Sequence, residues 1–398
     1  MTSIPLEPEY QEQLLAVVPK FSAALGLPSC ILLMAEVFLA HGLHNPALSK
    51  GGNPILRSLA FVAFFQALDA LGWFLSTWAV PAGDFAYSTG NIQTCDFQGF
   101  LLQVVIGAPL FSCAMAWYFW LIVARGKTSQ ELLVYERWIS PIIVLYAFGS
   151  SFFLLGKKMY NHIGAVCWIQ GSPPGCGNSS YRGGGEPCER GDWAWLYGMV
   201  MFYIPLWICI LLIVIFNISN YVKLRRDGDS GEARWFAAQS GLYALAFVVT
   251  WAPSTTWSGL HWKVDGGSFI VDILAAWFEP LGGFWNLLIF LRNRPASRRR
   301  VMRLVCCECC EPNDEDHDAI DADGPPPKEV PPPLPKHFRR KPGSSAGGGA
   351  SAQNRSVDGF EDEQEEEQRH TSARRNRQRR PSDTHDESAS MLEQSPDA

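Results

Sequence analysis

The chain has 398 residues, 47% of them apolar and only 18% charged. Its 33 lysines and arginines against 39 aspartates and glutamates leave a net charge of −6, an average that hides a split along the chain, and no nucleic-acid partner is expected. The apolar residues crowd in before Arg292, so no soluble domain of ordinary size is left to account for.

The start, Met1–Gln13, carries Glu7, Glu9 and Glu12 and no basic residue, unlike a secretory signal peptide. The first apolar stretch is therefore expected to act as its own insertion signal. Seven such stretches follow: Phe21–Gly42, Ser58–Val80, Phe97–Val123, Trp138–Leu155, Trp193–Ser219, Trp235–Ser258 and Phe269–Leu291. Most reach the ~20 residues that a helix needs to cross the ~30 Å hydrocarbon core. The expected fold is an all-α membrane protein: a seven-transmembrane helix bundle with a disordered cytoplasmic tail. Residues 1–20 are an extracellular N-terminus and 21–291 the bundle. Residues 292–310 are a juxtamembrane helix with a cysteine cluster, and 311–398 the tail.

Charge sets the orientation. One set of helix ends carries Lys50, Arg57, Arg125, Lys127, Arg137, Lys223, Arg225, Arg226 and Arg234, continued by Arg292, Arg294, Arg298, Arg299, Arg300 and Arg303. The other carries only Lys20, Lys157, Lys158, Arg182, Arg190 and Lys263. The positive-inside rule then puts the amino end outside and the tail in the cytosol, at the plasma membrane. The glycosylation sequon at Asn178 falls in an outside loop, which agrees.

The cysteines divide by compartment. Cys95, Cys167, Cys176 and Cys188 are expected outside, where disulfides persist. Of three pairings, the favoured one is Cys95–Cys167 with Cys176–Cys188, because the second pair closes a short Gly/Pro/Ser-rich loop. Cys306, Cys307, Cys309 and Cys310 follow a basic segment with interleaved Val301, Met302, Leu304 and Val305. That segment reads as an amphipathic helix on the inner leaflet, and its cysteines as palmitoylation sites, with a zinc or redox site the other reading. Farther on, Pro332-Pro333-Leu334-Pro335 is either a WW or SH3 ligand or a stiff spacer. Arg379-Arg380-Pro381-Ser382 suits a basophilic kinase.

Within the stretches, Glu36, Asp69 and Glu279 sit at depth, and Asp272 nearer the outer end of the seventh. Charge at mid-bilayer is costly, so such residues face the bundle. No lysine or arginine is expected at matching depth. Asp69 and Glu279 are either an ion- or proton-sensitive lock or protonated packing residues; Glu36 is read as packing. Pro28, Pro109, Pro141, Pro205, Pro253 and Pro280 are expected to bend six of the helices. Trp251, just before Pro253, is a candidate reporter of bending in helix six. Gly282 and Gly283 invite a close neighbour, and Asn286 a hydrogen bond across the bundle.

Cys95 followed by Gln98-Gly99-Phe100 and Gln103, together with Cys167-Trp168-Ile169, Trp251-Ala252-Pro253 and Gly283-Phe284-Trp285-Asn286, resembles the cAMP-receptor-like group of G protein-coupled receptors. That group is allied to the secretin-like receptors. The resemblance covers roughly residues 15 to 295. It implies coupling to a heterotrimeric G protein, through a surface made by Arg125, Lys127, Lys223, Arg225, Arg226 and Arg234. It implies an extracellular small-molecule ligand under the loop Gly156–Asp192. Trp251, Pro253, Asp69, Glu279 and Asn286 are its switch candidates. A phosphate-bearing ligand would need basic partners; Lys157, Lys158 and Arg182 are the clustered outside ones, with Trp168 and Gln103 beside them. Helix three lacks the Asp-Arg-Tyr end of rhodopsin-like receptors, and no helix-seven lysine exists to hold retinal. No cofactor, catalytic constellation or metal site is expected. The alternative is a seven-helix ion or solute transporter or channel using the intramembrane carboxylates.

Overall fold

The protein was analysed as a computed structural model, which describes residues 8–41, 53–173, 176, 187–227, 231–261, 269–292 and 294–305. Among these are seven helical spans long and apolar enough to cross a membrane: Pro8–Leu39, Pro54–Ala79, Ile92–Arg125, Ser129–Gly156, Ala194–Arg226, Arg234–Thr255 and Phe269–Arg292. They are called spans one to seven. Span three is the most enclosed and packs on spans two, four, five and six; span one lies against two and seven.

The spans extend past the apolar stretches where polar residues cap them. Span one starts at Pro8 rather than Phe21, so most of the expected extracellular N-terminus is helix. Asn53 caps span two, its side chain accepting from the Ile55 N–H, and Pro54 occupies the first helical position, where no N–H is needed. Asn91 with Thr94 and Thr128 with Glu131 form reciprocal capping boxes at the starts of spans three and four.

The prolines act differently from span to span. Pro28, Pro141 and Pro253 lie inside continuous helix, as does Pro19. Span three breaks between Val104 and Gly107, and Pro109 falls in the first turn of its second half. There the Val105 carbonyl accepts from the Ala108 N–H instead. In span five a wide π-turn, Met199–Tyr203, immediately precedes Pro205. In span seven Glu279, Pro280 and Leu281 form a 3-10 turn between two α-helical halves. Three of the six expected bends are thus changes of helix type, which aim Phe202, Tyr203 and Glu279 off the regular helical path.

Spans four and five are joined over one end of the bundle by an antiparallel hairpin, β1 (Tyr160–His162) with β2 (Cys167–Ile169), pairing Tyr160 with Ile169 and His162 with Cys167. Two disulfides fasten this end: Cys95–Cys167 ties the hairpin to span three, and Cys176–Cys188 staples the segment beyond it. Gln98 reinforces the first. It is fully buried, donates to the carbonyls of Gly72 and Ser76 at 2.9 Å each, and accepts from the Cys167 N–H at 2.8 Å. Beside it Gly99 leaves room for the Tyr160 ring, whose hydroxyl donates to the Ser151 carbonyl.

At the opposite end a short helix, Pro295–Val305, follows span seven. Arg300 donates from Nη2 and Nε to both oxygens of Glu36, at 2.6 and 3.1 Å. This corrects the expectation that no cation reaches Glu36: the cation comes from outside the spans, beyond the reach of a depth argument along one helix. Glu36 is ion-paired, and its packing role is secondary. A second pair, Arg57 with Glu136, joins spans two and four.

Candidate functional site

A cavity of about 270 Å³ lies beneath the hairpin. Ile163–Val166 and Trp168 form its roof with Phe85 from the connection after span two. Its walls come from six spans: Leu15 of one, Trp73 of two, Leu102 of three, Phe202 and Tyr203 of five, Ser254 of six, and Asp272, Ala275, Ala276 and Glu279 of seven. The irregular turns put three of these side chains there. The π-turn supplies Phe202 and Tyr203, and the 3-10 turn presents Glu279.

The polar floor is a carboxylate cluster. Glu279 accepts a hydrogen bond from the Ser254 hydroxyl. Asp69, fully buried behind it, is close enough for the two charges to interact, and Trp73 adjoins both. Oδ1 of Asp69 has no hydrogen-bond partner among the described residues. Deeper still, Asn286 Nδ2 donates to Gln66 Oε1 at 3.0 Å, linking spans seven and two. A side chain at Gly282 would strike Gln66, so the hydrogen-bonded approach depends on that glycine.

An aromatic relay leads from the roof toward span six. The Trp168 ring stands edge-on to Phe202, 5.0 Å between centroids; Phe202 is 5.9 Å from Trp251, and Trp251 is 6.4 Å from Phe247. Trp251 is 2% exposed, the largest side chain so enclosed. Thr255, one helical turn after it, donates its hydroxyl to the Trp251 carbonyl.

Of the described residues singled out as ligand contacts, only Trp168 lines the cavity. Gln103 lies beside it, its amide 3.4 Å from the Met201 carbonyl. Lys157 and Lys158 form the turn leaving span four, away from the lining. The charged residues of the described lining are Asp272 and Glu279, and no lysine, arginine or histidine appears among them. Asp272 was already marked by its depth in the seventh apolar stretch; Ser254 was not weighed as a site residue, and its place just after Pro253 was the available signal. Tyr160, packed under the hairpin, has its phenol pushed above the ordinary range by burial, so it acts as a fixed donor to Ser151.

At the opposite end the six expected G protein contacts fall at the ends of spans three, five and six. Arg125, Arg225, Arg226 and Arg234 are exposed. Arg125 stacks on Trp120, whose indole donates to Ser219 of span five at 2.9 Å, and Arg225 stacks on Tyr221. Lys127 pairs with Glu131 at 2.5 Å, which raises its pKa. Among the described residues no group of three or more His, Cys, Asp or Glu could hold a metal ion. Asn178, Arg182, Cys306, Cys307, Cys309, Cys310 and the tail motifs lie outside the described residues.

No family model matches the sequence, and no curated protein matches it. Among solved structures, the crystal structure of squid rhodopsin is similar, with 15% sequence identity over 81% of this chain and 93% of that one and a TM-score of 0.48. The class assignment rests on the seven spans themselves: a multi-pass, seven-helix membrane protein.

Proposed function

We propose that the protein is a G protein-coupled receptor of the cAMP-receptor-like group, its hairpin end outside the cell and its basic end in the cytosol. One observation carries the reading. Phe202 lines the cavity under the hairpin and also touches Trp251, the buried tryptophan of span six. A guest in the cavity therefore presses on a residue packed against the proline-containing span that bears Arg234 at its far end. A ligand shifts the bundle only by binding one arrangement better than the other; contact with Phe202 supplies such a difference. The basic ends of spans three, five and six form the G protein surface, with Arg125, Lys127, Lys223, Arg225, Arg226 and Arg234 as its members.

The test is nucleotide exchange on purified heterotrimeric G proteins by the receptor in lipid nanodiscs. Exchange that exceeds empty discs, and falls when Arg125 and Arg226 are both changed to alanine, supports the reading. No exchange with any Gα class rejects it.

A further inference from the structure

We propose that the cavity under the hairpin takes an organic ammonium ion, its cationic head against Glu279 and its apolar body among the aromatic rings. This rests on the reading of the cavity as a ligand site, and it names the chemistry of that ligand.

The lining decides between ligand classes. Five of its side chains are aromatic: Trp73, Phe85, Trp168, Phe202 and Tyr203. Ring faces attract a cation, Trp most strongly, and a cage of them suits an alkylated ammonium whose charge is spread over methyl groups. Two carboxylates, Asp272 and Glu279, stand on one wall, and no cationic side chain appears among the described lining residues. An anionic guest, a cyclic nucleotide included, meets like charge and no basic partner. A polyol would find Ser254, the two carboxylates and the indole N–H groups of Trp73 and Trp168, but most of the lining is ring and aliphatic surface that leaves its other hydroxyls unpaired. A neutral hydrocarbon leaves Glu279 with the Ser254 hydroxyl and no counter-charge. A cation satisfies rings and carboxylate together. Behind Glu279 the Oδ1 of fully buried Asp69 has no partner among the described residues and is a further acceptor outside the lining itself.

The experiment uses the full-length protein in nanodiscs, with three probes of matched shape. These are benzyltrimethylammonium, its neutral isostere neopentylbenzene and the anion phenylmethanesulfonate, followed by ligand-observed NMR titration. The cation is expected to bind saturably and at least tenfold more tightly than either comparison probe. Glu279→Gln and Asp272→Asn are expected to erase that preference, while Glu279→Asp keeps it and Lys157→Ala with Lys158→Ala leaves it untouched. The preference is read as a ratio within each variant, so partial misfolding does not imitate the result. Absent cation binding, an anion that binds as well as the cation, or a preference that survives in the Gln and Asn variants each overturns the proposal. Binding without nucleotide exchange on any Gα would reject the receptor reading and leave the ammonium site standing; exchange without binding would do the reverse.

Discussion

Arg300, in the short helix after span seven, grips both carboxylate oxygens of Glu36 in span one. The Glu36 side chain is almost wholly buried, while Arg300 is about half open to solvent. The fork also carries a third bond, from Arg300 Nη2 to Ser297 at 3.1 Å. Stripping the cation from a buried carboxylate leaves its desolvation uncompensated, which costs on the order of 1–3 kcal/mol at a half-open site. Arg300→Ala is therefore expected to lower the thermal midpoint of the protein in nanodiscs and to expose the terminal helix to protease. Glu36→Gln should recover part of the loss in the double variant. If Arg300→Ala melts like the wild type, the pair is not what seats this helix.

Gly283 faces Cys30 of span one so closely that a Cβ added there would overlap the sulfur, and Gly26 faces the Pro280 carbonyl in the same way. The two glycines make separable predictions. Gly283→Ala forces overpacking, which costs roughly 1–3 kcal/mol, and Cys30→Ala should restore most of it by removing the obstructing atom. Gly26→Ala meets backbone, so no side-chain change should rescue it. A thermal-stability double-mutant cycle reads both. Additive effects for Gly283→Ala with Cys30→Ala would show that the two residues do not share the contact.

The spans were legible in the sequence because the bilayer demands long unbroken apolar runs and leaves few alternatives. Boundaries were not, since span one begins at Pro8, where Glu9, Gln11, Glu12 and Gln13 interrupt the apolar run. Residues that act alone, such as the enclosed Trp251 and the small Gly282 and Gly283, stood out by type. Pairings across the bundle did not. Arg300 meets Glu36 from 264 positions away, and Arg57 meets Glu136 from 79. No local spacing encodes such distances. The cavity lining follows the same rule: Asp272 and Glu279 were marked by their depth in span seven, but Ser254 joins them only when spans six and seven pack.

Gln98 joins three parts of the hairpin end through three hydrogen bonds of 2.8–2.9 Å, all buried. Gln98→Leu keeps the volume and removes every partner, leaving the Cys167 N–H without an acceptor. We expect a loss of about 1–3 kcal/mol. We also expect faster reduction of the Cys95–Cys167 bond by dithiothreitol, because β2 loses its second anchor to span three. Unchanged reduction kinetics would mean the disulfide alone holds the strand.

Trp251 separates stability from signalling. Trp251→Ala empties a fully enclosed site and is expected to cost about 3–5 kcal/mol, so by itself it cannot report on a switch. Phe202→Leu is the sharper probe. It keeps an apolar side chain at the cavity wall but removes the ring that stands 5.9 Å from Trp251 and 5.0 Å from Trp168. If the relay transmits ligand contact to span six, this variant should bind the probe cation no more than about tenfold more weakly than wild type, for one ring of five lost, and at saturating probe lose most of its stimulated nucleotide exchange. Basal exchange should persist, because Trp251 still packs on Phe247. A variant that loses binding and exchange in the same proportion would place Phe202 in the site without any part in transmission. A variant that loses neither would move the coupling to another contact of span six, of which the Ser254–Glu279 hydrogen bond is the next to test.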